Sequence, residues 1–354
     1  MKTSIRILLA LCVTVGIYSC KNDDDASPKP PEETATIIGN WRINSGTFSI
    51  ENAQLLSINA DNSLIVLAED AMGFRDEARG NYTQTDTQLT IDFQFSGVSI
   101  LNYTVTDNSL TIVGSSGESV VFSKEVAPVD PEAWIKDISV LTQGNAPWDS
   151  QVDIAYDGTH ILVGNGYATN QIGYFNTTTL TLDSEMATTE SAFAVEVEKY
   201  MGVDRYIFQS DNGSRNYTAY REDTGAEEYT SIDFGSWIKG IASVDATQVW
   251  IASGNEKTLY LHDYGTAWPT QTIEQTIFVD RSLAGLDYQN GFLFVCSQGR
   301  IYKCQTSPNF EVVESISLDG YNAHGIAFDG TNFWIYASTS DGTPNRIIKS
   351  SLTL

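Results

Sequence analysis

The chain has 354 residues, 42% of them hydrophobic and 11% aromatic, which is enough apolar side chain for one large core or two modest ones and places it among globular proteins. Its 45 acidic residues outweigh 20 basic ones, and the resulting formal charge of -25 repels phosphate backbones and anionic lipid surfaces. Nucleic acid is therefore not an expected partner.

Residues 1–19 read as an export signal. A basic start, Met1-Lys2-Thr3-Ser4-Ile5-Arg6, precedes an apolar run over residues 7–18 that suits a signal core and is too short to span a bilayer. The run ends in Ile17-Tyr18-Ser19-Cys20, which resembles a bacterial lipobox, although Tyr18 is atypical of it. The resemblance implies that Cys20 is acylated and becomes the new N-terminus, and acyl chains of that kind anchor a protein to a membrane without a transmembrane helix. The next residues, Lys21-Asn22-Asp23-Asp24-Asp25, resemble the acidic signal of Bacteroidetes-type lipoproteins, which implies an outer-membrane protein facing the exterior. A periplasm-facing anchor is the alternative.

With Cys12 removed and Cys20 acylated, only Cys296 and Cys304 remain. They fall on neighbouring strands of one hairpin turning at Gln298-Gly299 and are not directly opposite, so two buried thiols are favoured over a disulfide. No Cys-x-x-Cys or Cys/His spacing is present, so no metal and no cofactor are expected.

Residues 20–36 carry the lipidated Cys20 and a tether rich in Pro and Glu, with no apolar periodicity. From 37 to 125 the pattern is alternating strands with polar turns. Tyr82-Thr-Gln-Thr-Asp86 followed by Leu89-Thr-Ile91 recurs as Tyr103-Thr-Val-Thr-Asp107 followed by Leu110-Thr-Ile112, with residues 56–66 as a third version. Such a series predicts a meander of eight short strands closed into a small barrel, which leaves no free edges. Gly39-Asn40-Trp41 at the opening strand, with the hairpins, resembles the short lipocalin-like domains of Bacteroidetes lipoproteins. That likeness implies an apolar pocket, but at half the length of a full lipocalin the interior is as readily filled by side chains.

Residues 126–132, with Pro128 and Pro131, form a linker, and 133–354 form a second domain. Five units align on Ile154, Val195, Ile241, Leu286 and Ile326, separated by 41, 46, 45 and 40 residues, a period that belongs to propeller blades. The second segment of each unit is a continuous apolar run, as in Val249-Trp250-Ile251 and Phe333-Trp334-Ile335-Tyr336, and fits a strand covered on both faces. The fold class is thus all-β, a small lipocalin-like barrel followed by a five-bladed propeller, with six blades as the alternative. The last unit shows only three strands, and residues 134–141 are the candidate for its fourth, which would clasp the ring.

Two columns of the alignment face the channel mouth. Four residues before the aligned position stand Ser150, Ser191, Trp237, Ser282 and Asn322, and two before it stand Val152, Phe193, Lys239, Ala284 and His324. An aromatic platform among short hydroxyl and amide groups suits a sugar, though the same groups also serve to cap strand ends. The candidate ligand-binding residues are Trp148, Asp149, Trp237, Lys239, Arg281, Asn322 and His324. Of the three histidines only His324 is placed for chemistry, and a carboxylate pair drawn from Asp149, Asp153, Glu190 or Asp287 is close to chance in so acidic a chain. Gly-x-Ser-x-Gly, His-Glu-x-x-His and phosphate-loop patterns are absent. The Gly-Ile-Ala-x-Asp-Gly phrase also resembles NHL and gluconolactonase-type propellers, at structural positions only.

The expected function is a lipid-anchored envelope binding module, not an enzyme, for glycan or peptide at the channel mouth. A propeller enzyme of the cyclotransferase, lactonase or glycosidase kind and a scaffold subunit partnering an envelope protein are the alternatives.

Overall fold

The computed structural model describes residues 35–48, 52–93, 97–126, 130–146, 148, 152–166, 169–198, 206–211, 213–265, 271–339 and 344–354. The expected signal peptide, Cys20 and most of the tether lie outside these residues.

The first domain is a meander of eight strands, β1 (Gly39–Ser45), β2 (Ala53–Ile58), β3 (Ser63–Glu69), β4 (Arg75–Gln84), β5 (Gln88–Phe93), β6 (Gly97–Val105), β7 (Ser109–Val113) and β8 (Ser119–Lys124). Each pairs antiparallel with the next, and β8 returns to β1, so the barrel is closed. The turns are built by short polar side chains. At the β2–β3 corner Asp61 accepts from Ser63 N at 3.0 Å while Asn62 takes a left-handed conformation, φ 68°. Alternate residues point inward, and Trp41, Leu56, Ile58, Val66, Leu89, Ile91, Leu110, Ile112 and Phe122 fill the interior. The Trp41 indole is fully buried and donates to the Ile37 carbonyl at 2.7 Å. Side chains thus occupy the space that a longer lipocalin leaves for a ligand.

A single helical turn, α1 (Pro131–Trp134), and two short strands, β9 (Lys136–Ile138) and β10 (Val140–Asn145), lead into the propeller. Blade 1 comprises β11 (Ile154–Tyr156), β12 (His160–Gly164), β13 (Gln171–Asn176) and β14 (Leu182–Ala187). Blade 2 comprises β15 (Ala192–Val197), β16 (Tyr206–Asp211), β17 (Tyr217–Arg221) and β18 (Glu227–Thr230). Blade 3 comprises β19 (Ile238–Ser243), β20 (Gln248–Ser253), β21 (Thr258–Asp263) and β22 (Thr272–Phe278). In blade 4, β23 (Leu283–Gln289), β24 (Phe292–Ser297), β25 (Arg300–Gln305) and β26 (Glu311–Leu318) are joined at the outer edge by β9, which runs parallel to β26. Blade 5 has β27 (Tyr321–Phe328), β28 (Phe333–Thr339) and β29 (Arg346–Ser350), and β10 is its outer strand. There are five blades.

The ring is therefore clasped, but the segment expected to do it is divided. Residues 136–138 extend blade 4 and residues 140–145 complete blade 5, so the entering chain staples two adjacent blades. The second strand of every blade is buried on both faces, which accounts for its unbroken apolar run. Cys296 and Cys304 are buried free thiols whose strand partners are Ile301 and Leu293, so neither faces the other.

The two domains meet at a knob on the barrel. Asp70 accepts from the amides of Met72 and Phe74 at 2.9 and 3.1 Å, and Gly73, φ +86°, turns the β3–β4 loop so that Phe74 projects outward. Phe74 is buried in the core between blades 3 and 4, edge-on to Tyr302 with ring centroids 4.8 Å apart. Beside it the Arg281 guanidinium packs against both the Phe74 and Tyr302 rings, at 4.8 and 4.9 Å from their centroids, and bonds Asp76 of the barrel and Gln298 of the blade. Tyr302 also donates to Asp76 at 2.8 Å, so the carboxylate is held from two sides.

Candidate functional site

The inner strands β11, β15, β19, β23 and β27 pack around one axis. The aligned positions from the repeat, Ile154, Ile241, Leu286 and Ile326, turn their amides toward it, and a single side chain, Asp153, receives them. Its Oδ1 accepts from Ile154 N at 2.9 Å and Ile326 N at 3.3 Å, and its Oδ2 from Leu286 N at 3.1 Å and Ile241 N at 3.3 Å. Its own amide donates to the Phe193 carbonyl of blade 2 at 3.0 Å, so one residue ties all five blades. Burial drives the Asp153 pKa well above the usual carboxylate value, against the pull of the four amides.

The residues one before the aligned positions explain how the carboxylate fits. They are Asp153, Ala194, Gly240, Gly285 and Gly325. A Cβ on Gly285 would lie 2.2 Å from Asp153 Oδ1, and one on Gly325 would lie 2.7 Å from the Val152 carbonyl. One acid and four small residues therefore close the axis. The sequence carries this signal in one column of the repeat, where a single acid stands among four small residues.

Above this plug the strands change register at equivalent places. β15 shifts between Ala192 and Ala194, β19 between Ile238 and Gly240, β23 between Leu283 and Leu286, and β27 between Ala323 and Gly325. Each irregularity is a β-bulge, and the extra residues include Phe193, Lys239, Ala284 and His324. A bulge re-aims its side chain relative to the regular pleat. These are the side chains expected at the channel mouth.

His324 is half-buried, and its Nε2 lies 2.8 Å from Ser338 Oγ on β28. Desolvation lowers its pKa to about 4, so the ring is neutral at pH 7. Lys239 lies with Nζ 3.7 Å from the centroid of Phe193 and 5.5 Å from that of Trp237. Burial lowers its pKa. Gly254 makes room for its stem, because a Cβ there would stand 2.5 Å from Lys239 Cγ. Trp237 is 42% exposed.

Trp148 and Arg281 lie elsewhere. Trp148 packs edge-on against Phe175 at 6.0 Å, its carbonyl accepting from the Tyr336 hydroxyl of blade 5 at 2.6 Å. Arg281 belongs to the barrel contact. Asn322 is exposed next to the Gly299 turn, and Asp149 lies outside the described residues. Asp287 accepts from Gln289 at 2.8 Å within blade 4. Lys239, Trp237 and Phe193 are brought together, and His324 gains Ser338, a partner the sequence reading did not identify. Among the described residues no group of three or more His, Cys, Asp or Glu side chains is arranged to hold a metal, and no helix is long and apolar enough to cross a membrane.

No protein-family model matches the chain, and no curated protein matches it in sequence. Solved structures to which it is similar include glutaminyl cyclase from Myxococcus xanthus, at 10% identity and a TM-score of 0.47 over 61% of this chain and 97% of that one. Regucalcin, a calcium-binding protein from Agrobacterium tumefaciens, is similar at 8% identity and a TM-score of 0.43, over 61% and 95%. A mitotic checkpoint complex chain follows at 8% identity and a TM-score of 0.38, over 97% and 100%. The expectation that the chain is not an enzyme is corrected at this point. That expectation rested on missing sequence motifs, and a missing motif does not argue against catalysis on a fold that hosts many chemistries.

Proposed function

We propose that the channel mouth is the active site of a small-molecule enzyme acting at a carbonyl centre, of the lactone-opening or acyl-transferring kind. The observation that carries this reading is the 2.8 Å contact between His324 Nε2 and Ser338 Oγ. A neutral imidazole within hydrogen-bond reach of a hydroxyl can accept its proton as the oxygen attacks. In this scheme Ser338 adds to the carbonyl carbon, the ring C–O bond breaks, and His324 returns the proton to the leaving oxygen. Water then releases the acyl group by the same path. The test is turnover of a panel of lactones and activated esters by the purified chain. Activity abolished in both His324→Ala and Ser338→Ala is expected, whereas activity unchanged in both, or no turnover at all, overturns the proposal.

A second reading, a module that binds glycan or peptide, is favoured by the exposed Trp237 face. Glycan-array binding lost in Trp237→Ala, from a protein without turnover, supports that reading. The address is proposed as an outer-membrane lipid anchor at Cys20 with the propeller facing outward, on the strength of the apolar run ending in Ser19-Cys20 and the acidic residues after it. Metabolic labelling with a fatty acid that fails for Cys20→Ala tests the anchor, and protease access on intact cells tests the side.

A further inference from the structure

Among the described residues, Lys239 has no carboxylate paired with it. Ion pairs join Lys136 to Glu314, Lys257 to Asp280 and Lys349 to Asp329, yet the Lys239 ammonium, more deeply placed than a surface lysine, meets only the Phe193 and Trp237 rings among the described residues. Aromatic faces compensate a desolvated ammonium only in part, and a buried charge is ordinarily paired. The shortage is not one of acids, since the chain carries 45 of them against 20 basic residues. Two glycines border the Lys239 and Trp237 side chains. Gly254 clears its stem, and Gly213, φ +98°, lies beside the indole edge, where a Cβ would stand 3.6 Å from Trp237 Nε1. Lys239 sits at the register shift between Ile238 and Gly240, where a bulge re-aims a side chain relative to the regular pleat.

We infer that the ligand of the channel mouth carries a carboxylate that pairs with Lys239, next to a flat face that stacks on Trp237. This names the ligand class of the site proposed above. It rests on the mouth being a ligand site, and not on chemistry at His324 and Ser338.

The test uses the full folded chain with two matched pairs of probes, glucuronate against glucose and benzoate against benzamide, read by calorimetric titration. At least one carboxylate is expected to bind about tenfold or more tightly than its neutral partner, as a charge-assisted pair requires. That preference should vanish in Lys239→Met and survive in Lys239→Arg, with the melting temperature of each unliganded variant confirming that it folds. Ser338→Ala should keep the preference even where turnover is lost, so the two proposals fail separately. Equal binding of acid and neutral probes, binding of neither, or a preference unchanged in Lys239→Met overturns the inference.

Discussion

The barrel and the propeller close their sheets around different interiors. In the barrel every inward position is given to packing, and Trp41, Phe122 and their neighbours leave an apolar centre. In the propeller the packing lies between the blades, in separate clusters such as those around Trp250 and Trp334, so the axis is released from filling. There the chain places one carboxylate, a ring of amides, and above them the bulged residues that differ from blade to blade. Stability in the first domain is area removed from water, whereas the second adds a hub whose worth lies in leaving no buried amide without a partner.

That contrast is broken most severely at Asp153. Asp153→Ala leaves four buried amides without an acceptor, at about 1–3 kcal/mol each, so a loss of at least about 4 kcal/mol in the propeller is expected. Asp153→Asn should cost less, because one oxygen still serves two amides. Calorimetric unfolding checks both, and a melt unchanged in the alanine variant would refute the hub.

The next largest effect is expected at the contact between domains. Phe74→Ala removes a buried ring from the core between blades 3 and 4, at about 3–5 kcal/mol. Calorimetry should then resolve separate barrel and propeller transitions, and a single coincident transition would argue that other contacts couple the domains.

A smaller effect, confined to the propeller, follows from its buried titratable groups. Glu198 accepts from the Tyr264 hydroxyl at 2.7 Å, and desolvation raises its pKa to about 7. Its contribution is present in full below about pH 4.5 and is lost as the pH rises toward 7. His262, buried beside Tyr217 at 3.0 Å, has its pKa lowered by desolvation to about 4, so its contribution is present above about pH 6.5 and is lost as the pH falls toward 4. Glu198→Gln should match the parent in denaturant unfolding at about pH 4 and exceed it at about pH 8. The reverse order would place the carboxyl in a charged state throughout.

The smallest effect on stability is expected at Gly254→Ala, where the added methyl displaces the Lys239 stem. Carboxylate binding at the mouth should weaken about tenfold while the melting temperature changes little. Binding left intact would place the ligand away from Lys239.

Much of this architecture was legible because repetition amplifies weak signals. Five recurrences of an apolar phrase located the inner strands, and their alignment picked out the residues whose amides meet on the axis. The same register relates the bulged residues Phe193, Lys239, Ala284 and His324 to one another. The staple of residues 136–145 was legible in outline, since blade 5 lacks a strand of its own, but two short pairings with different neighbours read in sequence as one run. Ser338 stayed hidden because only the bulge at Ala323/Gly325 aims His324 toward it. Arg281 was mistaken for part of the rim because its partners, Phe74 and Asp76, lie more than two hundred positions away. The apolar tip Met72-Gly73-Phe74 was the available sign of that contact, since a loop facing water would be polar.

The single acid on the axis bears on how a ring of copied blades can exist at all. Duplication makes equivalent positions, but the axis is one point that every copy shares. Five aspartates there would repel and overlap, and five glycines would leave the amides unanswered. The ring is complete only if the copies disagree, so the fivefold symmetry of the backbone is stabilised by a residue that breaks it.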